Sequence, residues 1–148
     1  MPGFRLIAAD LDDTLLDDNL QVSPRTVKAL KKALEMGCVV TIATGRMFRS
    51  ARQIALDLGI IEAPIITYLG ALVKNARSEE ALAETPVPFD LAEFMHPQAT
   101  KKNALHNLAR SLGIPREKII AFGDSYNDLD MIQYAGMGVS KVLERFLE

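Results

Sequence analysis

The junction that most constrains this chain is Leu6-Ile7-Ala8-Ala9 running directly into Asp10-Leu11-Asp12-Asp13-Thr14. An apolar run without polar alternation suits a central parallel strand covered on both faces. Three carboxylates in four positions cannot stay in that core, because an unpaired buried charge is too costly. They must emerge at the strand's C-terminal edge, where open α/β sheets hold their ligands. Crowded carboxylates there raise one another's pKa unless positive charge sits among them. Donors that are all oxygen point to Mg²⁺ as that charge.

The rest of the chain repeats the strand-then-helix pattern. Ser23-Pro24 is a helix start, an N-cap hydroxyl followed by proline at the first helical position. Val27, Leu30, Ala33 and Leu34 share one face, and Gly37 ends the helix. A second strand is predicted over Cys38 to Ala43, stopping at Thr44-Gly45-Arg46. A second helix follows, with Ala51, Ile54, Ala55 and Leu58 at helical spacing and Gly59 at its end. Pro64 to Tyr68 is predicted as a third strand. Strand, helix, strand, helix, strand implies a parallel sheet with right-handed crossovers.

From Leu69 to Ala99 the pattern weakens, and this stretch reads as a β-hairpin and connector, with Asp90 able to cap a short helix through Met95. Thr100 then caps a helix whose apolar face is Ala104, Leu105, Leu108 and Leu112, closed by Gly113. A strand over Lys118 to Phe122 ends at Gly123-Asp124-Ser125-Tyr126-Asn127-Asp128, and a helix follows through Met131, Ile132 and Ala135. Gly138 to Ser140 forms a short last strand, and Val142 to Glu148 a terminal helix.

Composition supports one globular domain over residues 1–148, just under half hydrophobic and about a quarter charged. A net charge of −2 without a Lys/Arg-rich stripe gives no footprint for nucleic acid. No apolar segment approaches membrane-spanning length and no signal peptide is evident, so a cytoplasmic protein is the expectation. The single cysteine, Cys38, excludes an intrachain disulfide and reads as a buried inert thiol.

Three predicted strand ends carry polar clusters: Asp10/Asp12/Asp13/Thr14, Thr44-Gly45-Arg46, and Gly123-Asp124 with Asp128. In a parallel sheet all three converge on one edge. Lys101 or Lys102 can bring a cation there; adjacent helical positions point about 100° apart, so one of the two is expected to reach it. Metal ligands, a hydroxyl, a lysine and backbone amides suit a phosphoryl group. With no Ser–His or Cys–His pair evident, an aspartate is the natural covalent nucleophile.

Asp10-Leu11-Asp12-Asp13-Thr14, Thr44, Lys101 and Gly123-Asp124-x-x-x-Asp128 resemble, in order, the four motifs of the haloacid dehalogenase-like phosphohydrolases. Ala43-Thr44-Gly45-Arg46, Tyr68-Leu69-Gly70-Ala71-Leu72 and Phe122-Gly123-Asp124-Ser125-Tyr126-Asn127-Asp128 resemble the Cof-type branch. The resemblance implies a Rossmann-like three-layer sandwich around a mainly parallel sheet. It also implies a Mg²⁺-dependent phosphatase of small phosphorylated metabolites, sugar phosphates among them. Asp10 would be nucleophile and metal ligand, and Asp12 the general acid and then base, its carbonyl also reaching the metal. Thr44, Gly45 and Lys101 would bind the phosphoryl oxygens, with the family spacing favouring Lys101 over Lys102. Asp124 would ligate the metal, Asp128 would ligate it or orient its waters, and Thr14 would hold the acidic loop in shape.

Two departures from the family stand out. Its Cof-type members insert an α/β cap domain where this chain has only the connector at 69–99, and they run further past the last strand. A pared-down capless core is therefore expected, natural or engineered, with an open and weakly selective site and a surface that invites homo-oligomerisation. Leu69 stands where many members carry asparagine, and Asp13 where many carry glycine.

Two rival readings compete with the phosphatase. A receiver-type phosphoacceptor lacks a place for Asp12 and for the Gly-Asp-x-x-x-Asp motif. An inactive scaffold that only binds Mg²⁺ or phosphate is distinguished by assay. A dinucleotide binder is excluded, because no G-x-G-x-x-G follows the first strand.

Overall fold

In a computed structural model, residues 3–61, 64–84 and 97–140 are described. The expected helix from Asp90 and the expected terminal helix from Val142 lie outside them. Seven strands form one sheet: β1 (Leu6–Ala9), β2 (Val39–Ala43), β3 (Pro64–Thr67), β4 (Leu72–Asn75), β5 (Ala81–Glu84), β6 (Ile119–Gly123) and β7 (Met137–Ser140). Their order is β5-β4-β3-β2-β1-β6-β7. The β3-β2-β1-β6-β7 portion is parallel, and the expected hairpin is β4/β5, with β4 antiparallel to β3 and β5 antiparallel to β4.

Helices α1 (Pro24–Glu35), α2 (Phe48–Asp57), α3 (Lys101–Ser111) and α4 (Leu129–Tyr134) cover the sheet. Strand alternation sorts the core into two layers. Ala9, Val40, Ile42 and Ile65 meet Leu30 of α1 and Phe48, Ala51 and Ala55 of α2. Leu6, Ala8, Ala43, Ile66 and Ile119 face the other way, against Ala104, Leu105 and Leu108 of α3 and Met131 of α4. The fold is thus a three-layer α/β sandwich, and β1 lies central because both of its faces are apolar. Each fully buried Leu or Ile contributes about 1.5–3 kcal/mol relative to exposure.

The helix boundaries follow their capping chemistry. Ser23 Oγ accepts the Thr26 N–H at 3.1 Å, and Thr100 Oγ1 accepts the Asn103 N–H at 3.1 Å. Gly37, Gly59 and Gly113 take the left-handed conformation that ends α1, α2 and α3. Leu112 departs from its expected core position: as the C-cap of α3 it is 39% exposed. Cys38 is half-buried rather than buried, its Sγ donating to the Phe4 carbonyl at 3.2 Å. Among the described residues no helix is long and apolar enough to cross a membrane.

Candidate active site

β1 is hydrogen-bonded into the sheet up to Asp10, whose N–H donates to the Phe122 carbonyl at 3.0 Å. The chain then leaves in one wide turn, closed by the Leu16 N–H on the Leu11 carbonyl at 2.8 Å. Asp13 within this turn has a φ of 57°, a left-handed conformation that aspartate tolerates better than bulky residues do. That geometry explains why a glycine would also serve at this position. Thr14 Oγ1 donates to Asp124 Oδ1 at 3.1 Å, tying the acidic turn to the end of β6.

Thr44 follows β2, its N–H donating to the Ile66 carbonyl at 2.9 Å and its Oγ1 accepting the Arg46 N–H at 3.1 Å. Leu69 donates its N–H to the Thr44 carbonyl at 3.2 Å. Tyr68, Leu69 and Gly70 form three consecutive left-handed residues, with φ of 51°, 57° and 109°. Gly70 is required there, since a Cβ would stand 2.2 Å from the Thr100 carbonyl oxygen. The strained loop is thereby wedged against the start of α3.

That start delivers Lys101. It is 2% exposed, and its Nζ donates to Asp10 Oδ1 at 2.7 Å and to Asp128 Oδ1 at 2.5 Å. Lys102 is exposed, so the choice between the two lysines falls to Lys101. Asp128 is fully buried, and its Oδ2 accepts from the Asp124 N–H (3.1 Å), the Ser125 N–H (3.1 Å) and Ser125 Oγ (2.9 Å). A Cβ on Gly123 would lie 2.4 Å from Asp128 Cβ, which accounts for glycine before Asp124.

These elements enclose a cleft of about 320 Å³ lined by Asp10, Asp12, Asp13, Thr44, Gly45, Arg46, Lys101, Asp124, Ser125 and Asn127. Burial lifts the Asp10 carboxyl from its ordinary value of 3.8 to about 6. The charge and hydrogen bond of Lys101 oppose the shift and the nearby Asp128 adds to it. The Arg46 hydrogen bond holds Asp12 below the ordinary range. Arg46 grips Asp12 as a fork, Nε to Oδ2 at 2.9 Å and Nη2 to Oδ1 at 2.5 Å.

A divalent cation fits this donor set. Asp10, Asp124 and Asp128 each offer an oxygen, all within 4.8 Å of one another. The lining also carries four carboxylates against two cations, an excess of negative charge that a hard cation would offset. Asp128, however, already has both oxygens engaged, one by Lys101 and one by the loop donors.

All seven residues singled out in the sequence meet at this edge: Asp10, Asp12, Thr44, Gly45, Lys101 and Asp124 line the cleft, and Asp128 lies directly beneath it. Sequence reasoning leaves Arg46 open between a contact to the site or substrate and solvated surface, and assigns no site role to Asp13, Ser125 or Asn127; all four line the cleft. Their adjacency to the motifs was the only signal available.

An open α/β sandwich with such a cleft at its strand ends belongs to a well-populated class, and comparison with known proteins specifies which part of it. The chain belongs to the haloacid dehalogenase-like hydrolase family, whose model matches residues 7–93 and 87–140. It is 40% identical over 90 residues to the HMP-PP phosphatase of Serratia proteamaculans, a match spanning 61% of this chain and 32% of that enzyme. It is 27% identical over 187 residues to the phosphoglycolate phosphatase of Methanothermobacter thermautotrophicus, spanning 93% of this chain and 85% of the relative. The fold superposes on a haloacid dehalogenase-like hydrolase from Bacteroides thetaiotaomicron with a TM-score of 0.82. That match has 20% identity and covers 93% of this chain and 88% of the other. The match to the Serratia enzyme thus takes in about a third of that enzyme's length.

Proposed function

We propose that this chain is the catalytic core of a Mg²⁺-dependent phosphatase acting on small phosphorylated metabolites such as sugar phosphates, through a phosphoryl-aspartate at Asp10. The observation that carries this reading is the convergence of Asp10, Lys101, Thr44 and Asp124 on one cleft from four separate chain segments. The phosphatase names of the relatives support the same class of substrate.

Mg²⁺ would be held by the carboxylates of Asp10 and Asp124 with the Asp12 carbonyl, and when bound it supplies positive charge to the phosphoryl oxygens. Asp128, expected from sequence as a further ligand, is better suited to orienting Lys101 and the Asp124 loop, because its oxygens are already engaged. Thr44 Oγ1 and the Gly45 amide are assigned to hydrogen-bonding the phosphoryl oxygens, and Lys101 to balancing charge between them and Asp10.

In the first step an Asp10 oxygen attacks phosphorus, the P–O ester bond breaks, and Asp12 gives its proton to the leaving oxygen. In the second, Asp12 takes a proton from water as that water attacks phosphorus. The Asp10–phosphorus bond breaks, and inorganic phosphate leaves with Asp10 restored.

Residues 69–99 are assigned as a connector within a single core domain, at the place where Cof-type members carry a cap. The alignment with the Methanothermobacter enzyme supports this, being longer than the whole chain, so that relative carries sequence with no counterpart here. The reading is tested by hydrolysis of para-nitrophenyl phosphate with Mg²⁺ and with EDTA, for the parent and Asp10→Asn. Metal-dependent turnover lost in the variant is expected. No turnover from folded parent protein would leave a scaffold that only binds Mg²⁺ or phosphate.

A further inference from the structure

Arg46 closes on Asp12 more completely than a surface ion pair requires. Both Asp12 oxygens accept from the guanidinium, Oδ2 from Nε and Oδ1 from Nη2. A general acid must carry a proton on one of these oxygens. Although the Asp12 side chain is 48% exposed, each oxygen already accepts from the guanidinium, which favours the ionised carboxylate. The Arg46 backbone cannot swing away to release it. Its N–H is held by Thr44 Oγ1 at 3.1 Å, and its carbonyl accepts the Tyr68 N–H at 3.3 Å. The side chain can move, since it is 25% exposed and beyond Asp12 its guanidinium donates only a long 3.4 Å hydrogen bond to Ser50 Oγ among the described residues. The guanidinium also lines the cleft itself, beside Thr44 and Gly45.

We propose that Arg46 is a latch on Asp12 that the phosphoryl group of the substrate opens by drawing the guanidinium onto its own oxygens. A phosphate dianion carries twice the charge of Asp12 and offers the same bidentate geometry to the fork, so it competes for Arg46 directly. Anion binding and release of Asp12 are then one event. Arg46 becomes a substrate contact and a positioning residue for Asp12 in alternation. A molecule in the cleft without an anionic oxygen cluster leaves Asp12 held, so the latch selects phosphoryl compounds over neutral analogues. The inference rests on the phosphatase reading of the cleft, and its test separates the two.

The test has a binding arm and a kinetic arm. In the first, inorganic phosphate is titrated into the Mg²⁺-supplemented protein while the arginine Nε–H resonances are followed by ¹⁵N NMR. Arg46 is expected to move together with the Gly45 amide. Arg52, whose Nε donates to the Ala76 carbonyl at 2.7 Å, serves as the stationary control. In the second, Arg46→Gln is expected to raise KM for para-nitrophenyl phosphate about tenfold or more while leaving kcat within about threefold, because this leaving group needs no proton. Arg46→Lys, which keeps the charge but not the fork, recovers part of the KM loss. A Gly45 amide that shifts while Arg46 stays still, or an Arg46→Gln KM equal to the parent's, overturns the latch and leaves the phosphatase standing. Parent protein without turnover overturns the phosphatase, and the titration still decides the latch. Phosphate that moves no cleft resonance overturns the latch as well.

Discussion

Lys101 Nζ lies 2.7 Å from Asp10 Oδ1, joining two residues 91 positions apart in the sequence. The same ammonium reaches Asp128 Oδ1 at 2.5 Å, so one buried cation holds the carboxylate proposed as nucleophile against the loop that follows β6. Removing it leaves two buried carboxylates facing each other, and breaking a buried pair in this way is strongly destabilising. Lys101→Met is therefore expected to lose about 3–5 kcal/mol in urea unfolding at pH 7. Stability equal to the parent's would mean that the ammonium is not the link between the two carboxylates.

Asp10 gives the metal-free protein a specific pH dependence. Its carboxyl holds a proton more tightly in the folded chain, at about 6, than at its ordinary 3.8. Its stabilising contribution is then fully present below 3.8 and lost as pH rises through about 6. The loss is on the order of 2–3 kcal/mol. Asp12 acts in the opposite sense: Arg46 lowers its pKa, so its contribution stands at neutral pH and disappears as pH falls below the ordinary carboxylate range. Urea midpoints measured in EDTA between pH 4.5 and 7.5 should fall with pH in the parent, and fall less in Asp10→Asn. Equal slopes would contradict the burial-driven shift.

How much of this arrangement was open to sequence reasoning divides along the range of the interaction involved. That Asp10, Thr44 and Asp124 share one edge was legible because each follows an apolar run, and a parallel sheet brings such ends together. Helix starts at Ser23 and Thr100 and stops at Gly37, Gly59 and Gly113 were equally local. The Arg46–Asp12 fork was not legible, since its partners leave different strands and no spacing rule links them. The left-handed Tyr68 and Leu69 gave no signal in their own side chains, because neither residue type favours that conformation. Leu112 kept helical spacing but falls at the end of α3, where the core no longer covers it. Asp128 reads in sequence as a residue that ligates the metal or orients its waters, and it offers an oxygen within 4.8 Å of those of Asp10 and Asp124. Its bonds to Lys101 and the Asp124 loop carried no local signal.

The loop at Tyr68 to Gly70 stores strain that can be relieved at one position. Leu69 has a φ of 57°, which a β-carbon with a bulky side chain disfavours and asparagine tolerates. Leu69→Asn is expected to stabilise the protein by about 1 kcal/mol in thermal unfolding. An unchanged or lower stability would mean that Leu69 packing against Gly45, where a Cβ would lie 3.1 Å from Leu69 Cδ2, outweighs the strain.

Gly70 should admit no side chain. A Cβ would meet the Thr100 carbonyl oxygen at 2.2 Å, and a backbone atom cannot rotate away as a side chain can. Gly70→Ala is expected to cost about 2–3 kcal/mol by forcing the start of α3 outward, and to lower turnover by moving Lys101. Full activity in a folded Gly70→Ala protein would show that Lys101 is not positioned through this contact.

The central claim, that Asp10 itself carries the phosphoryl group, is tested most directly by trapping. Asp12→Asn, which lacks the base for the second step, is mixed with para-nitrophenyl phosphate and Mg²⁺, quenched in acid and reduced with borohydride. The reduction converts an acyl phosphate to homoserine, which peptide mass spectrometry locates. Homoserine at position 10, absent when EDTA replaces Mg²⁺, is the expected result. A parent protein that turns over this substrate while neither parent nor variant ever yields homoserine at position 10 would contradict the account.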